Sequence, residues 1–557
     1  MSFVYFLLFL ATGSAWAYVS FAHESRGESG PWFVLRRSLS VSTVGFLIAT
    51  NGVRNLGELL MCFVFAFFAV GLSIYCWNKF IDFFDGGDSG HLRGQSLWTS
   101  EQVTREIKKA RVDTRLELGG VPIPVSVEDR GFLLAGSPGT GKSQAIMSSL
   151  DILQSAGHRA VLADASGIFY SRYADNRSAL FNPYDSRSVK WSPLADIRSP
   201  EDAASVARSI VPDGVGEGAE WSGYAQSLLE AVLEYVSDRN GTTGDVLRLS
   251  TVASAEELRN TLPAGPVHAL LDKDAQKMLA SVRAIVGSKM KSFAALDQVV
   301  GADGFSIRDF ISEQNGWLFV SFKQSQRDAL RPLIAATLDI ASRAVLDLPP
   351  AAGSRSDQAR TWFVLDELPL LGRISSLVTL LTNGSKHGAS AIVGLQTVAQ
   401  LRETYGQHQA QTVLATLGTW LTLRVSDPET ADYMSRNIGD EEIRRVVSSG
   451  GTSSKSLEFG SQTSENWGEQ YTTQRVVLPS ELQNLPDLCG YLNIAGPVPA
   501  CPIRLSLAEQ RPPVAEAFVQ AERKRPPAVA LEAPLEADLP FSEPEQSESK
   551  SAEFRLD

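Results

Sequence analysis

Gly136-Ser137-Pro138-Gly139-Thr140-Gly141-Lys142-Ser143 has the spacing of a phosphate-binding loop. Glycines let a backbone curl around an anion with its N–H groups inward, and a following helix adds its positive end. Lys142 is then placed to reach the β- and γ-phosphates of a nucleoside triphosphate, and the Ser143 hydroxyl to ligate Mg²⁺. Two adjacent acids, Asp366 and Glu367, close the apolar run Thr361-Trp-Phe-Val-Leu. At a strand end Asp366 can hold Mg²⁺ through water beside Ser143, while Glu367 polarises the attacking water as general base. Acids at such junctions also simply favour a helix N-terminus. In a chain that carries a phosphate loop, hydrolysis is the stronger reading. Gln396 ends another apolar run, where its amide either contacts the γ-phosphate and the attacking water or starts a helix in solvent. Arg424 ends Trp420-Leu-Thr-Leu and reads either as an arginine finger toward a neighbouring subunit or as a plain salt-bridge arginine. No guanine-reading NKxD motif stands in the right place, which favours ATP over GTP.

Chemistry of this kind needs a rigid parallel sheet beneath it. Gly131-Phe-Leu-Leu-Ala135 reads as a buried strand into the loop, and Gln144 to Leu153 has apolar residues at helical spacing behind it. Further strand-like runs lie at 159–164, 316–322, 361–366 and 390–395, alternating with helical segments, which indicates a parallel sheet covered on both faces. Between about Ser192 and Gly304 the chain is rich in Ala, Leu and charged residues at helical spacing, so an all-helical domain is expected as an insertion. Ser448 to Gln474 is Ser/Thr/Gly-rich and is expected to be a mobile loop. From Arg511 onward, Pro-rich and then acidic sequence has too little apolar content to fold.

The 557-residue chain has 20% charged and 44% hydrophobic residues, the composition of a folded protein. A formal charge of −12 confines any nucleic-acid contact to a groove or pore. Cys62, Cys76, Cys489 and Cys501 make no metal-ligand spacing and no disulfide framework. Uncharged apolar stretches at Phe3–Ala22 and Leu59–Trp77 are each long enough to span a bilayer. The first ends in small residues around Ala15-Trp16-Ala17 like a signal peptide, the weaker alternative, but it lacks a positive leader and is followed by a second span, so it reads as an uncleaved anchor. Arginines between the spans would place that linker in the cytoplasm. A domain that uses ATP must itself be cytoplasmic, however, and this consideration overrides the charge rule.

Several motifs in one order give the chain a family likeness. They are Arg93-Gly94-Gln95-Ser96, Leu180-Phe-Asn182-Pro183-Tyr-Asp185, Asn315-Gly316-Trp317, Leu365-Asp366-Glu367-Leu-Pro369, Gly394-Leu-Gln396 with Gln400-Leu and Tyr405-Gly406, and Leu485-Pro-Asp-Leu before Gly496-Pro497. With these the chain resembles the TraD-type coupling proteins, hexameric membrane ATPases that feed DNA–relaxase complexes into type IV secretion channels in conjugation. The resemblance covers roughly Arg93 to Leu507. It departs at Asp164-Ala-Ser-Gly167, where the family often has an Asp-x-Lys-Gly-Glu element.

What the resemblance implies is an α/β fold, a RecA-like phosphate-loop ATPase domain with an inserted all-α domain, anchored by two N-terminal transmembrane helices. The expected layout is a membrane anchor at 1–84 and the nucleotide-binding domain in two parts, 93–191 and 305–507. The helical insertion occupies 192–304 and a disordered tail 508–557. Expected partners are ATP and Mg²⁺, DNA, relaxosome proteins, the secretion channel, the bacterial inner membrane and other copies in a hexamer. Rival readings are an FtsK-like chromosome translocase and a membrane scaffold that uses ATP only as an assembly switch.

Overall fold

A computed structural model describes residues 90–214, 218–296, 304–313, 316–351, 360–453, 462–509 and 511–521. The expected spans at 3–22 and 59–77 lie outside these residues. Among the described ones no helix is long and apolar enough to cross a membrane. In chain order the first strands are β1 (Gly90–Gly94), β2 (Thr114–Leu118), β3 (Val121–Pro124), β4 (Phe132–Ala135), β5 (Arg159–Asp164), β6 (Ala179–Phe181) and β7 (Trp317–Ser321). They are followed by β8 (Thr361–Leu365), β9 (Ala389–Leu395), β10 (Thr419–Thr422), β11 (Asp440–Ser453), β12 (Gln462–Arg475), β13 (Cys489–Asn493) and β14 (Cys501–Arg504).

The described residues divide into two units, one of those within 90–96 and 439–476 and one of those within 97–438 and 477–521. In the first, β1, β11 and β12 form an antiparallel sheet. The expected mobile loop at Ser448–Gln474 is instead largely the hairpin of β11 and β12. Thr463, Tyr471, Thr472 and Thr473 supply β-branched and aromatic strand formers that the Ser/Gly count concealed.

In the second unit the sheet runs β14-β13-β10-β4-β9-β8-β5-β7-β6. From β10 to β6 every pairing is parallel, and β13 and β14 extend one side antiparallel. Strands β4, β7, β8 and β9 are buried at every residue, because helices cover both faces of a parallel sheet. Trp362, fully buried, lies against Phe132 with ring centroids 5.9 Å apart. Register then decides the chemistry. Ala135 is level with Thr422 and Leu395, and Leu365 with Val393 and Ala163, so the ends of β10, β4, β9, β8 and β5 share one edge.

Between β6 and β7 the chain is helical, with Pro200–Ile210, Gly218–Asp238, Thr243–Thr251, Ala255–Thr261 and Gln276–Met290 as its main elements. Ser199, Thr242 and Ser254 cap three of these by accepting from backbone N–H groups, which satisfies donors a helix start leaves open. The two ends of this stretch are pinned together. Trp191 bridges to Phe305, and buried Asp196 accepts from Trp191 Nε1 (2.8 Å), Ser306 Oγ (2.8 Å) and the Arg308 N–H (2.9 Å).

The segment 511–521, expected to begin a disordered tail, lies hydrogen-bonded along this unit. The Val514 N–H donates to Ser171 O (2.8 Å), Arg187 to Glu516 O (2.8 Å) and the Val519 N–H to Asp185 Oδ2 (2.9 Å). Its own backbone groups hold it without a helix or strand, so neither hydrophobic periodicity nor the Pro-rich composition reveals it. Asp185, from the Asn182-Pro-Tyr-Asp185 motif, thereby acquires a physical role as a clasp.

At the opposite ends of the strands, His158 accepts from the Arg360 N–H through Nδ1 (2.9 Å) and meets Arg115 at Nε2. Burial, then Arg115 and Arg360, depress its pKa from 6.5 to about 4. Folded His158 thus takes up a proton less readily than the unfolded chain, so acid favours unfolding. Its contribution is complete above about pH 6.5 and is lost as the pH falls toward 4, amounting to at most ~3 kcal/mol. Urea unfolding of wild type and His158→Gln between pH 7.5 and 4.5 should show the stability gap narrowing with acid. A gap independent of pH would contradict this.

Candidate nucleotide site

The loop between β4 and the helix Lys142–Ser155 wraps the start of that helix, the place where an anion is favoured. Gly141 caps that helix at φ +117°, a conformation that L side chains rarely adopt, while Pro138 and Gly139 form the exposed tip. The Gly136 N–H donates to Leu395 O (3.0 Å), the Ser137 N–H to Arg424 O (2.8 Å) and Thr140 Oγ1 to Ser137 O (2.8 Å). Ser137 Oγ donates to Ser426 Oγ (3.0 Å) and accepts from the Ser426 N–H (2.9 Å). The loop is therefore held from β9 on one side and from the chain beyond β10 on the other.

Lys142 is buried and folds back onto the loop, its Nζ donating to Gly136 O. Glu367 Oε2 lies 3.9 Å from that nitrogen. Burial pulls the ammonium below its usual pKa, and Glu367 and Asp366 act against this. Burial pushes the Glu367 carboxyl up, and Lys142 and hydrogen bonds from Gln396 draw it down. The Gln396 N–H reaches Glu367 Oε1 at 3.1 Å. Asp366 is pushed up to about 6, first by burial and also by Asp164, with Lys142 opposing. The structure thus gathers Lys142, Asp366, Glu367 and Gln396 at one edge, with Ser143 in the first turn of the helix.

Strand order explains Gln396. β9 lies between phosphate-loop strand β4 and acid-bearing strand β8, so the residue that follows it falls between loop and acids. Arg424 differs. Within the chain its Nη2 lies 2.7 Å from Asp487 Oδ1 and its Nη1 donates to Leu485 O (3.2 Å), away from Asp366 and Glu367.

Two further residues of this edge carry no signal of their role in the sequence. Gly394 on β9 faces the Asp366 backbone so closely that an added Cβ would lie 1.6 Å from Asp366 O. Its place in Gly394-Leu-Gln396 is plain, but the contact crosses between strands. Asp164 at the end of β5 is buried and accepts from the Ser166 N–H (3.2 Å) and the Tyr170 N–H (2.9 Å), which leaves a further acid beside Asp366.

These oxygens suit a small hard cation. Asp164, Asp366 and Glu367 outnumber Lys142, so added positive charge would be welcome at the edge. No group of three or more His, Cys, Asp or Glu residues able to hold a metal occurs among the described residues. Phosphate oxygens would have to complete a shell begun by Ser143 and Asp366.

Residues 115–506 match the model of the type IV secretion-system coupling protein DNA-binding domain. The chain belongs to that coupling protein family. Coupling protein TraD of Escherichia coli (strain K12) is 29% identical over 428 residues, which are 75% of this chain and 58% of TraD. The chain therefore spans less than two thirds of that relative's length. The unbound structure of the bacterial conjugative coupling protein TrwBdeltaN70 superposes with a TM-score of 0.69 at 30% identity, covering 77% of this chain and 96% of that one. TrwB in complex with the ATP analogue ADPNP gives a TM-score of 0.68 at 29% identity, over 77% of this chain and 97% of that one. TrwB with ADP and Mg²⁺ gives 0.67 at 30%, with the same coverage. As a coupling-family member, the chain has a TrwB-like α/β nucleotide-binding fold with a helical region.

Proposed function

We propose that this coupling-family chain is an inner-membrane ATPase that recruits a DNA–protein substrate and drives DNA through a type IV secretion channel during conjugation. The observation that carries the reading is the meeting of Lys142, Glu367 and the Gln396 N–H at a phosphate loop. Structures of TrwB with ADPNP and with ADP and Mg²⁺ support ATP and Mg²⁺ as its ligands.

The loop N–H groups from Gly139 to Ser143 and the helix end would bind the phosphates, and Lys142 would turn from Gly136 O toward them. Mg²⁺, held by Ser143 and Asp366, would offset phosphate charge during transfer. Glu367 would take a proton from the attacking water, its raised affinity for protons suiting it to that task. Gln396, joined to Glu367, would sense whether the γ-phosphate is present. A RecA-like motor of this kind works between subunits, so we place it in a hexamer anchored by spans 3–22 and 59–77. The helical region 192–304 would receive substrate, and relaxosome proteins and channel components would be its partners.

ATP hydrolysis by the full-length chain in detergent, with and without DNA, tests this. DNA should raise the rate severalfold. An oligomeric preparation that hydrolyses no ATP with any DNA would overturn the motor.

A further inference from the structure

Pro486 to Cys489 forms a tight turn closed by the Cys489 N–H on Pro486 O (3.2 Å). Leu488 occupies its third position at φ +64°, where glycine or asparagine is the usual choice. A leucine there is strained and persists only where its surroundings hold it. Here they do. The Leu488 N–H donates to Thr140 O (2.9 Å), and its own carbonyl accepts from the Leu505 N–H (2.7 Å). Its side chain covers Gly141, where a Cβ would lie 2.8 Å from Leu488 Cδ2.

The same turn is gripped by Arg424. Its guanidinium reaches Asp487 Oδ1 (2.7 Å) and Leu485 O (3.2 Å), while its carbonyl accepts from the Ser137 N–H (2.8 Å). One arginine thereby ties the front of the phosphate loop to the turn that supports its back. Nothing in nucleotide chemistry requires the Leu485-Pro-Asp-Leu488 motif, and this placement gives it a purpose.

We infer that Arg424, Asp487 and Leu488 form a brace within one chain that positions the phosphate loop for nucleotide. Asp487 and Leu488 are positioning residues, and the Arg424 side chain works in its own subunit and not in a neighbour's site. The inference rests on the nucleotide-binding reading.

The test is equilibrium binding of ADPNP to the full-length chain in detergent, together with steady-state ATPase kinetics. Asp487→Asn and Arg424→Ala should each weaken ADPNP binding roughly twofold to fivefold, with the loss carried by KM, as expected for a partly exposed ion pair. The double variant should be little worse than either single one, because both remove the same link. Leu488→Gly frees the backbone of its unfavourable φ yet should also bind more weakly, an outcome that simple relief of strain would reverse. Wild-type affinity in Asp487→Asn would overturn the brace. So would retained affinity with lost kcat in Arg424→Ala, which is the signature of a finger acting across subunits. Failure of the wild-type chain to bind ADPNP would remove the nucleotide site itself, and the brace with it.

Discussion

Replacing Glu367 by glutamine is expected to reduce ATP turnover by at least ~100-fold, a typical loss for a missing general base, while ATP still binds. The substitution keeps the shape of the side chain and an oxygen able to accept from the Gln396 N–H, which lies 3.1 Å from Oε1. What it removes is the basic oxygen and the negative charge 3.9 Å from Lys142 Nζ. Lys142 would then be freer to face phosphate, so affinity for ADPNP should hold or rise. Parallel measurement of ADPNP binding and of steady-state phosphate release checks both halves. Turnover within about fivefold of wild type would mean that another group activates the water, since a general base contributes more than that.

Gly394→Ala is expected to do comparable damage from a position that touches no phosphate. The new Cβ would lie 1.6 Å from Asp366 O and 2.5 Å from Asp366 C, both backbone atoms. No rotamer relieves that clash, so β8 and β9 must separate where the acids sit. Overpacking of this kind costs about 3 kcal/mol or more. A displacement near 1 Å at Asp366 and Glu367 removes on the order of 100-fold in rate. Gly287→Ala is a useful contrast. It lies inside the helix Gln276–Met290, where the nearest atom to a Cβ is Thr251 Cγ2 at 3.6 Å. That change should be neutral to slightly stabilising, by up to ~1 kcal/mol. Thermal unfolding of the two variants, followed by ATPase assays at a temperature where both are folded, separates instability from misplacement. A stable, active Gly394→Ala would show that the close approach has no functional weight.

Much of the site is legible in the amino-acid sequence because its parts are local. The phosphate loop lies between an apolar strand and a helix, and Asp366-Glu367 directly follows β8. The helical stretch after Ser192 announces itself by periodicity, which depends on near neighbours. What the sequence hides depends on residues far apart along the chain. The partners of Arg424 come 61 residues later at Leu485 and then at Asp487, so spacing leaves finger and salt bridge equally open. Gly394 looks like part of a motif, and only the pairing of β8 with β9 shows why a side chain is excluded there. The hairpin of β11 and β12 is masked by Ser and Gly residues, and the 511–521 segment by its prolines and its lack of any strand or helix periodicity. In both, backbone hydrogen bonds supply the order, and composition does not register them.

The claim that joins these parts is that hydrolysis at this loop powers DNA transfer. Donor cells lacking the chain provide its most direct measurement, as the frequency of DNA transfer to recipients after complementation. Wild type should restore transfer, whereas Lys142→Ala, present in the membrane at equal abundance, should leave it at the level of the deletion. Restoration by Lys142→Ala to wild-type frequency would contradict the account.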